Sequence, residues 1–176
     1  TNQANCVGTA TNPINFASTF NVAGTTYNWV NNNPSIGLGA SGTGNIPAFT
    51  PINNTTSPIV ATITVIPIFA NGEKSCAGSS KTFTITINPR GQVNNVSNII
   101  VCNGETVPAL SFTTNNTGGT TVFNWTNNTP SIGLIASGTD TMPSFVAVNN
   151  GTTANKIDVI DFANPASISV IHSISM

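Results

Sequence analysis

Residues able to carry acid–base or metal chemistry are few in this chain of 176 residues. They are five carboxylates and one histidine: Glu73, Glu105, Asp140, Asp158, Asp161 and His172. General acid–base catalysis needs two such groups that the fold holds close together, and no spacing here indicates a pair. A Ser-His-Asp arrangement would have to recruit His172 from an alternating segment, where we expect a partly exposed strand residue instead. We therefore expect no enzyme activity and no catalytic residue.

Spacing that would suit a metal ion is also missing. Calcium sites cluster several carboxylates, and only Asp158 and Asp161 are close in sequence. Three positions along a regular strand place such a pair on opposite faces. The cysteines lack the C-x-x-C spacing of structural zinc sites. We expect neither a metal nor a cofactor.

The three cysteines are Cys6, Cys76 and Cys102. Cys6 lies near the start of the chain, and Cys76 lies in a predicted loop before a strand. We predict a Cys6–Cys76 disulfide, worth about 4 kcal/mol in the chain-entropy estimate. Buried free thiols are the alternative, and Cys102 is then unpaired or bonded outside this sequence. An odd cysteine in a lysine-poor chain favours an oxidising, extracytoplasmic setting.

Charge is scarce in this sequence. Only 5% of the residues are charged, against roughly 25% in ordinary soluble domains. The net charge of −1 creates no field that would attract nucleic acid or an anionic membrane surface. No apolar window reaches the ~18 residues of a membrane span. The sequence opens at Thr1 without a methionine or an apolar leader, so we expect a processed product or an excerpt.

One long stretch of the sequence occurs twice. "NWVNNNPSIGLGASGTG" begins at Asn28, and "NWTNNTPSIGLIASGTD" begins at Asn124. Trp125 follows Trp29 by 96 residues, and the same offset holds without a gap from Cys6 to about Pro58. An internal repeat of this length indicates two copies of one domain. We predict tandem domains over 1–91 and 92–176, with the boundary in the polar segment 88–98.

Each copy has the pattern of β-strands. "KTFTITINP" and "PIVATITVIPIFA" alternate apolar and polar or small residues with a period of two. Pro67 predicts that the second of these strands bends or reaches a sheet edge there. Gly, Pro and Asn recur every few residues, and no segment has a helical period. The prediction is an all-β chain of two antiparallel β-sandwich domains.

The repeated sequence segments are expected to form the core and turns of each domain. Large and branched residues in them are predicted core anchors: Trp29, Trp125, Phe49, Phe145, Ile36 and Ile132. Tyr27 and Phe123 are also predicted core residues. Asn-Asn-x-Pro-Ser is typical of a turn, and Ala-Ser-Gly-Thr is interpreted as a flexible connection.

The second copy departs from the first after about residue 155. His172 occupies the position that corresponds to Cys76, and no counterpart of "KTFTITINP" follows. "ASISVIHSISM" still alternates, with Ile168, Val170, Ile174 and Met176 on one face, which predicts a closing strand. A specialised last domain and an altered ending both fit this pattern.

The repeated words also resemble a known family. "VCNGETVPALSF", "TTVFNWTNNTPSIGLIASGT", "MPSF" and "KTFTITINP" are similar to the PKD-like repeats of very large surface proteins of Bacteroidota, among them gliding-motility adhesins exported by type IX secretion. The resemblance covers the first domain almost wholly and the second up to about Asn150. It implies immunoglobulin-like β-sandwiches in a long stalk outside the cell. It implies no catalytic residues.

The expected function is therefore that of a repeat segment in a cell-surface adhesin or stalk, for attachment or spacing. Expected partners are neighbouring repeats of the same chain, surface polysaccharide and abiotic surfaces; nucleic acid and direct membrane insertion are not expected. One alternative is a carbohydrate-binding or spacer module of a secreted polysaccharide-degrading enzyme. Another is a self-assembling filament subunit, in which the segment 156–176 adds a strand to a neighbour's sheet. The expected location is extracellular, at the cell surface and attached to the outer membrane.

Overall fold

A computed structural model describes residues 2–18, 24–149, 156–161 and 169–175, the last two ranges as backbone only. The described chain is all-β, with fifteen strands, two single-turn 3-10 helices and no α-helix. The strands are β1 (Gln3–Cys6), β2 (Thr25–Asn31), β3 (Ser41–Thr43), β4 (Ile59–Asn71), β5 (Lys74–Ala77), β6 (Lys81–Asn88), β7 (Ile99–Cys102), β8 (Thr106–Val107), β9 (Leu110–Ser111), β10 (Asn124–Thr126), β11 (Ser137–Thr139), β12 (Thr141–Met142), β13 (Phe145–Val146), β14 (Lys156–Asp161) and β15 (Ser169–Ser175). The 3-10 turns are Pro34–Ile36 and Pro130–Ile132.

The chain forms two compact units. The first consists of Thr1–Arg90 with Asn116–Gly118, and the second of Gly91–Asn115 with Gly119–Met176. The change from the first unit to the second at Arg90 falls in the polar segment 88–98, which contains no strand after Asn88, the last residue of β6.

The main sheet of the first unit has the order β1-β6-β4-β2-β3, and β5 also pairs with β4. Neighbours are antiparallel except β1, which runs parallel to β6. The central strand β4 buries Ala61, Ile63 and Val65 on one face, as its alternation predicts. Ile85 and Ile87 of β6 are also fully buried, so alternate side chains of this sheet form one wall of the core.

Strand β4 continues through Pro67 to Asn71. On one side, β4 pairs with β6 as far as Val65 and with β5 from Ile68 onwards. Pro67 lies in the gap between these two partners. Because proline has no N–H, Pro67 has no backbone donor that would stay unpaired between β6 and β5. Its carbonyl accepts a hydrogen bond of 2.8 Å from the amide of Gly78.

A second, irregular layer covers the core-facing side of this sheet. The segment 8–16 runs antiparallel to 46–51. The amide of Thr11 donates to Phe49 O at 2.9 Å, and Ile14 and Ile46 exchange backbone bonds of 2.9 and 3.0 Å. The second unit repeats this register, since Val107 of β8 pairs with Phe145 of β13. Leu110 of β9 likewise pairs with Met142 of β12.

The two units differ in how their first strands pair. In the first unit β1 lies parallel to β6, whereas the corresponding β7 lies antiparallel to β14. Strand β14 in turn pairs with β15, which gives the order β15-β14-β7. The alternating segment near the C-terminus therefore forms a strand within its own unit, and Ile168 and Met176 lie outside the described residues. Strand addition to a neighbouring molecule stays a prediction.

Each unit has its own hydrophobic core. The first is built around Trp29, Ile36 and Ile63, and the second around Trp125, Ile132 and Met142. Sheets with cores of this kind are consistent with a β-sandwich. The immunoglobulin-like tandem arrangement stays a prediction.

Candidate functional site

The repeated tryptophans lie against glycines. Trp29 in β2 pairs with Gly42 in β3, and Trp125 in β10 pairs with Gly138 in β11. Trp29 is 6% exposed and Trp125 is 1% exposed. Because a glycine has no Cβ, each indole packs directly over the backbone of the neighbouring strand. The Ser-Gly-Thr part of each Ala-Ser-Gly-Thr segment is thus a strand, and the expectation of a flexible connection is wrong.

A buried asparagine holds the turn after each tryptophan strand. Nδ2 of Asn31 donates to Leu38 O at 3.0 Å, and its Oδ1 accepts from the amide of Asn33 at 2.9 Å. Asn127 makes the equivalent bonds, to Leu134 O at 2.8 Å and from the amide of Thr129 at 2.9 Å. These side chains are 3% and 4% exposed. An asparagine that is paired through both ends of its amide fixes the turn without leaving a buried polar group unsatisfied.

The Pro-Ser-Ile-Gly words form the two 3-10 turns. Each turn buries its isoleucine and ends at a glycine with a left-handed backbone, φ 92° at Gly37 and 98° at Gly133. Ile36 O then accepts from the amide of Ile52, and Ile132 O from the amide of Val148, both at 2.9 Å. Each turn is thereby tied to its own covering layer.

The predicted core anchors all lie in or beside the cores. Trp29, Trp125, Ile36 and Ile132 are buried. Phe49 and Phe145 are half-buried and pack against the cores from the covering layer. Tyr27 and Phe123 are likewise half-buried at the core margin.

The two acids that the first copy lacks are held in turns. Oε2 of Glu105 accepts from the amide of Cys102 at 2.9 Å. Asp140 has φ 58°, and its Oδ1 accepts from the amide of Phe123 at 3.0 Å. Both carboxylates therefore stabilise local backbone.

The other acids and the histidine lie outside these two turns. Glu73 is exposed beside the β4–β5 turn. Asp158 pairs with Val101 and His172 with Val159 at the backbone level. Within the described residues, no group of three or more His, Cys, Asp or Glu residues is placed to hold a metal ion.

The structure contradicts the predicted Cys6–Cys76 disulfide. All three thiols are free and exposed: Cys6, Cys76 and Cys102. Cys6 pairs with Asn88, next to the Ile87–Ile59 pair at the start of β4, whereas Cys76 pairs with Phe69 near its end. At about 3.3 Å per residue these positions are roughly 30 Å apart along the strand. A disulfide needs Cα atoms within about 7 Å, so the pair cannot be bridged in this fold. The alternative of buried thiols is also wrong.

The first unit has a groove with a volume of about 680 Å³. Three aromatic rings line it, from the covering layer, β2 and β6: Phe16, Tyr27 and Phe83. The ring centroids of Phe16 and Tyr27 are 5.6 Å apart, and those of Phe16 and Phe83 are 6.3 Å apart. Gln3, Asn15 and Lys81 add polar groups. We name this feature the aromatic groove.

The second unit has a smaller groove beside the corresponding aromatic pair. Phe112 and Phe123 lie 6.1 Å apart, at the positions of Phe16 and Tyr27. The adjoining space is about 250 Å³, and none of its described lining residues is charged. The smaller groove also has a third ring, that of Trp125. The aromatic groove is therefore distinguished by a tyrosine hydroxyl and a lysine.

No helix in the described part of the chain is long and apolar enough to cross a membrane. Comparison of the sequence with protein-family models and with curated proteins gives no match. The fold thus defines the class: this is an all-β, sheet-rich protein with a repeated tryptophan–asparagine–glycine core.

Some of these residues were missed at the sequence level. Asn31 and Asn127 were interpreted as turn formers, because a buried amide looks like any other asparagine in an asparagine-rich chain. The signal in the sequence is that both positions, which correspond in the two copies, are asparagine. The groove has no such signal, since Phe83 and Lys81 become neighbours of Tyr27 only through the pairing of β2, β4 and β6.

Proposed function

We propose that the chain is a non-catalytic repeat segment of a cell-surface adhesin or stalk, which attaches to surfaces or spaces a distal binding tip. The observation that supports this proposal is the structural role of the repeated residues. The tryptophan, asparagine, isoleucine and glycine of each copy make the same packing and hydrogen-bond contacts inside their own unit. Residues maintained in both copies thus serve the fold, as a structural repeat requires.

The surface supports the same proposal. Charged residues make up 5% of the chain, so copies of such a unit lie next to one another without strong mutual repulsion. Exposed polar groups are mainly hydroxyls and amides, which form hydrogen bonds with polysaccharide or with a hydrated inorganic surface. The two carboxylates that differ between the copies stabilise turns.

Retention on surfaces tests attachment. Fluorescently labelled protein is passed over glass, polystyrene and immobilised polysaccharide, beside an unrelated β-sandwich of similar size and net charge. We expect retention of the chain to exceed that of the control severalfold on at least one surface. Equal retention on every surface would exclude direct attachment and leave spacing as the role.

A carbohydrate-binding module is the second candidate function, and the aromatic groove favours it. Its volume of about 680 Å³ falls within the range of roughly 300–1,000 Å³ that small-ligand sites occupy. Aromatic faces with a few polar groups are the lining that such sites use. Titration with soluble oligosaccharides tests this role separately from retention on surfaces.

A further inference from the structure

Among the residues that the structure describes, the aromatic groove lies at an end of the core-facing side of the sheet that the covering layer leaves open. On β6 the residues facing the core are Lys81, Phe83, Ile85 and Ile87, because side chains alternate along a strand. Ile85 and Ile87 are fully buried, Phe83 is half-buried, and Lys81 is exposed. The row thus changes from aliphatic to aromatic to cationic where the covering layer ends.

Neighbouring strands change in the same way. On β2 the core-facing row passes from buried Trp29 to half-buried Tyr27. On β1 it ends in half-buried Gln3, which pairs with Ile85. These changes of residue type along the strands place aromatic faces and hydrogen-bonding groups around a single concavity at one end of the sheet.

The rings present apolar faces at different tilts. The planes of Phe16 and Tyr27 are inclined by 46°, and those of Phe16 and Phe83 by 55°. Rings arranged in this way form a curved wall that contacts a ligand on more than one side. The C–H-rich face of a pyranose ring packs well on such a wall, because its weakly positive hydrogens meet the negative aromatic face.

The charge of the residues that line the groove indicates which class of ligand it suits. Lys81 is the one charged residue among the described residues that line the groove. The wall therefore offers an ammonium group with no carboxylate opposite it, beside the neutral donors and acceptors of Gln3, Asn15 and Ser79. A ligand that combines a saturated sugar face, hydroxyl groups and one carboxylate matches all three components.

We propose that the aromatic groove binds an acidic glycan through one uronic acid residue, with its ring against Tyr27 and Phe16 and its carboxylate at Lys81. This assignment rests on the proposed attachment role for its biological setting, and it names the ligand class and the residues. The second unit does not share the site, because its smaller groove has Phe123 in place of Tyr27 and no charged residue in the described part of its lining.

The test uses the full chain and two soluble probes of equal length, the β-1,4-linked trimer of glucuronic acid and its neutral counterpart cellotriose. Amide chemical shifts of the ¹⁵N-labelled protein are followed during each titration. We expect saturable shifts around Phe16, Tyr27 and Lys81 with the acidic probe, and an affinity at least threefold lower for the neutral one. Added salt should weaken binding of the acidic probe, because exposed charge pairs are screened.

Lys81→Gln isolates the charge, and Lys74→Gln is the matched control, since Lys74 is an exposed lysine on β5 outside the groove. We expect Lys81→Gln to weaken binding of the acidic probe by about threefold to fivefold, as for an exposed ion pair, and Lys74→Gln to leave it unchanged. Tyr27→Phe introduces the residue that the second unit has at this position, Phe123. It should also weaken binding of the acidic probe, without unfolding the protein.

The outcomes separate this proposal from the attachment role. If the acidic probe causes no saturable shift, or if Lys74→Gln weakens binding as much as Lys81→Gln, the groove assignment is overturned. Tighter binding of cellotriose would overturn the acidic class. Retention on surfaces can persist in each of these cases, and loss of retention with intact uronate binding would overturn the attachment role instead.

Discussion

The indole of Trp29 occupies the space that a side chain at Gly42 would fill. A Cβ added to this glycine would lie 2.6 Å from Cε2 of the ring. The second unit repeats the relationship, with 2.7 Å between a Cβ on Gly138 and Cε2 of Trp125. Real Cβ atoms do not approach ring carbons this closely, and both rings are buried among core residues that restrict their movement. The glycines are therefore required by packing.

Gly42→Ala is expected to lower the free energy of unfolding of the first unit by about 1–3 kcal/mol, the usual cost of overpacking a core. Hydrogen exchange of the β2 and β4 amides measures the change in that unit alone. Gly39→Ala is the control, because its added Cβ would meet nothing nearer than Ser41 O at 3.8 Å. Equal effects of the two substitutions would contradict the packing role of Gly42.

Asn31→Ala should destabilise the first unit by about 2 kcal/mol or more. It removes the bonds to Leu38 O and from the Asn33 amide and leaves buried backbone groups unpaired, each costing about 1–3 kcal/mol. Asn28→Ala on the same strand, at an exposed position, is expected to change stability by less than about 0.5 kcal/mol. The comparison is made by urea unfolding followed through the NMR amide signals of β2 and β4, which report on the first unit alone. A stable Asn31→Ala variant would show that the turn does not need the amide.

Asp140 replaces a glycine of the first copy, Gly44, at a position where both have a left-handed backbone, φ 58° and 73°. The aspartate compensates through its bond to the Phe123 amide. Asp140→Ala should therefore cost about 1–2 kcal/mol, because it keeps the backbone strain and loses that bond. Asp140→Gly should stay within about 0.5 kcal/mol of the original, because relief of strain offsets the lost bond.

The reciprocal change is also expected to be tolerated. A Cβ on Gly44 would meet nothing within 4 Å, so Gly44→Asp has room and can form the equivalent bond to the Tyr27 amide. Thermal unfolding of the four proteins gives the order. If Asp140→Ala were as stable as Asp140→Gly, backbone conformation would not explain the aspartate.

Alternation predicted the central strands, because a sheet with one buried face imposes a period of two on its sequence. Ile63 and Val65 could therefore be assigned to the core directly. The Ser-Gly-Thr strands could not, since small polar residues pack under a tryptophan only when a partner strand places the ring there. Gly42 carries no periodic signal of its own, and its role depends on the register with Trp29.

The cysteine pairing failed for a related reason. Sequence separation and predicted loop positions placed Cys6 and Cys76 near opposite ends of one domain, which suited a closing bridge. Which ends of the sheet they reach depends on the parallel pairing of β1 with β6. Most pairings of this sheet are antiparallel, and no local feature of the sequence marks the exception.

Thiol alkylation tests the corrected cysteine assignment. Because all three thiols are free and exposed, native protein treated with iodoacetamide in the absence of reductant should gain three carbamidomethyl groups, seen by intact mass. Prior reduction should not increase the number. A chain with a Cys6–Cys76 bridge would gain one group before reduction and three after it. Such a result would require β1 or β5 to leave its present partner, since roughly 30 Å of strand β4 separates the two positions. Cys76→Ser would then lower stability by several kcal/mol, whereas with free thiols it should be nearly neutral.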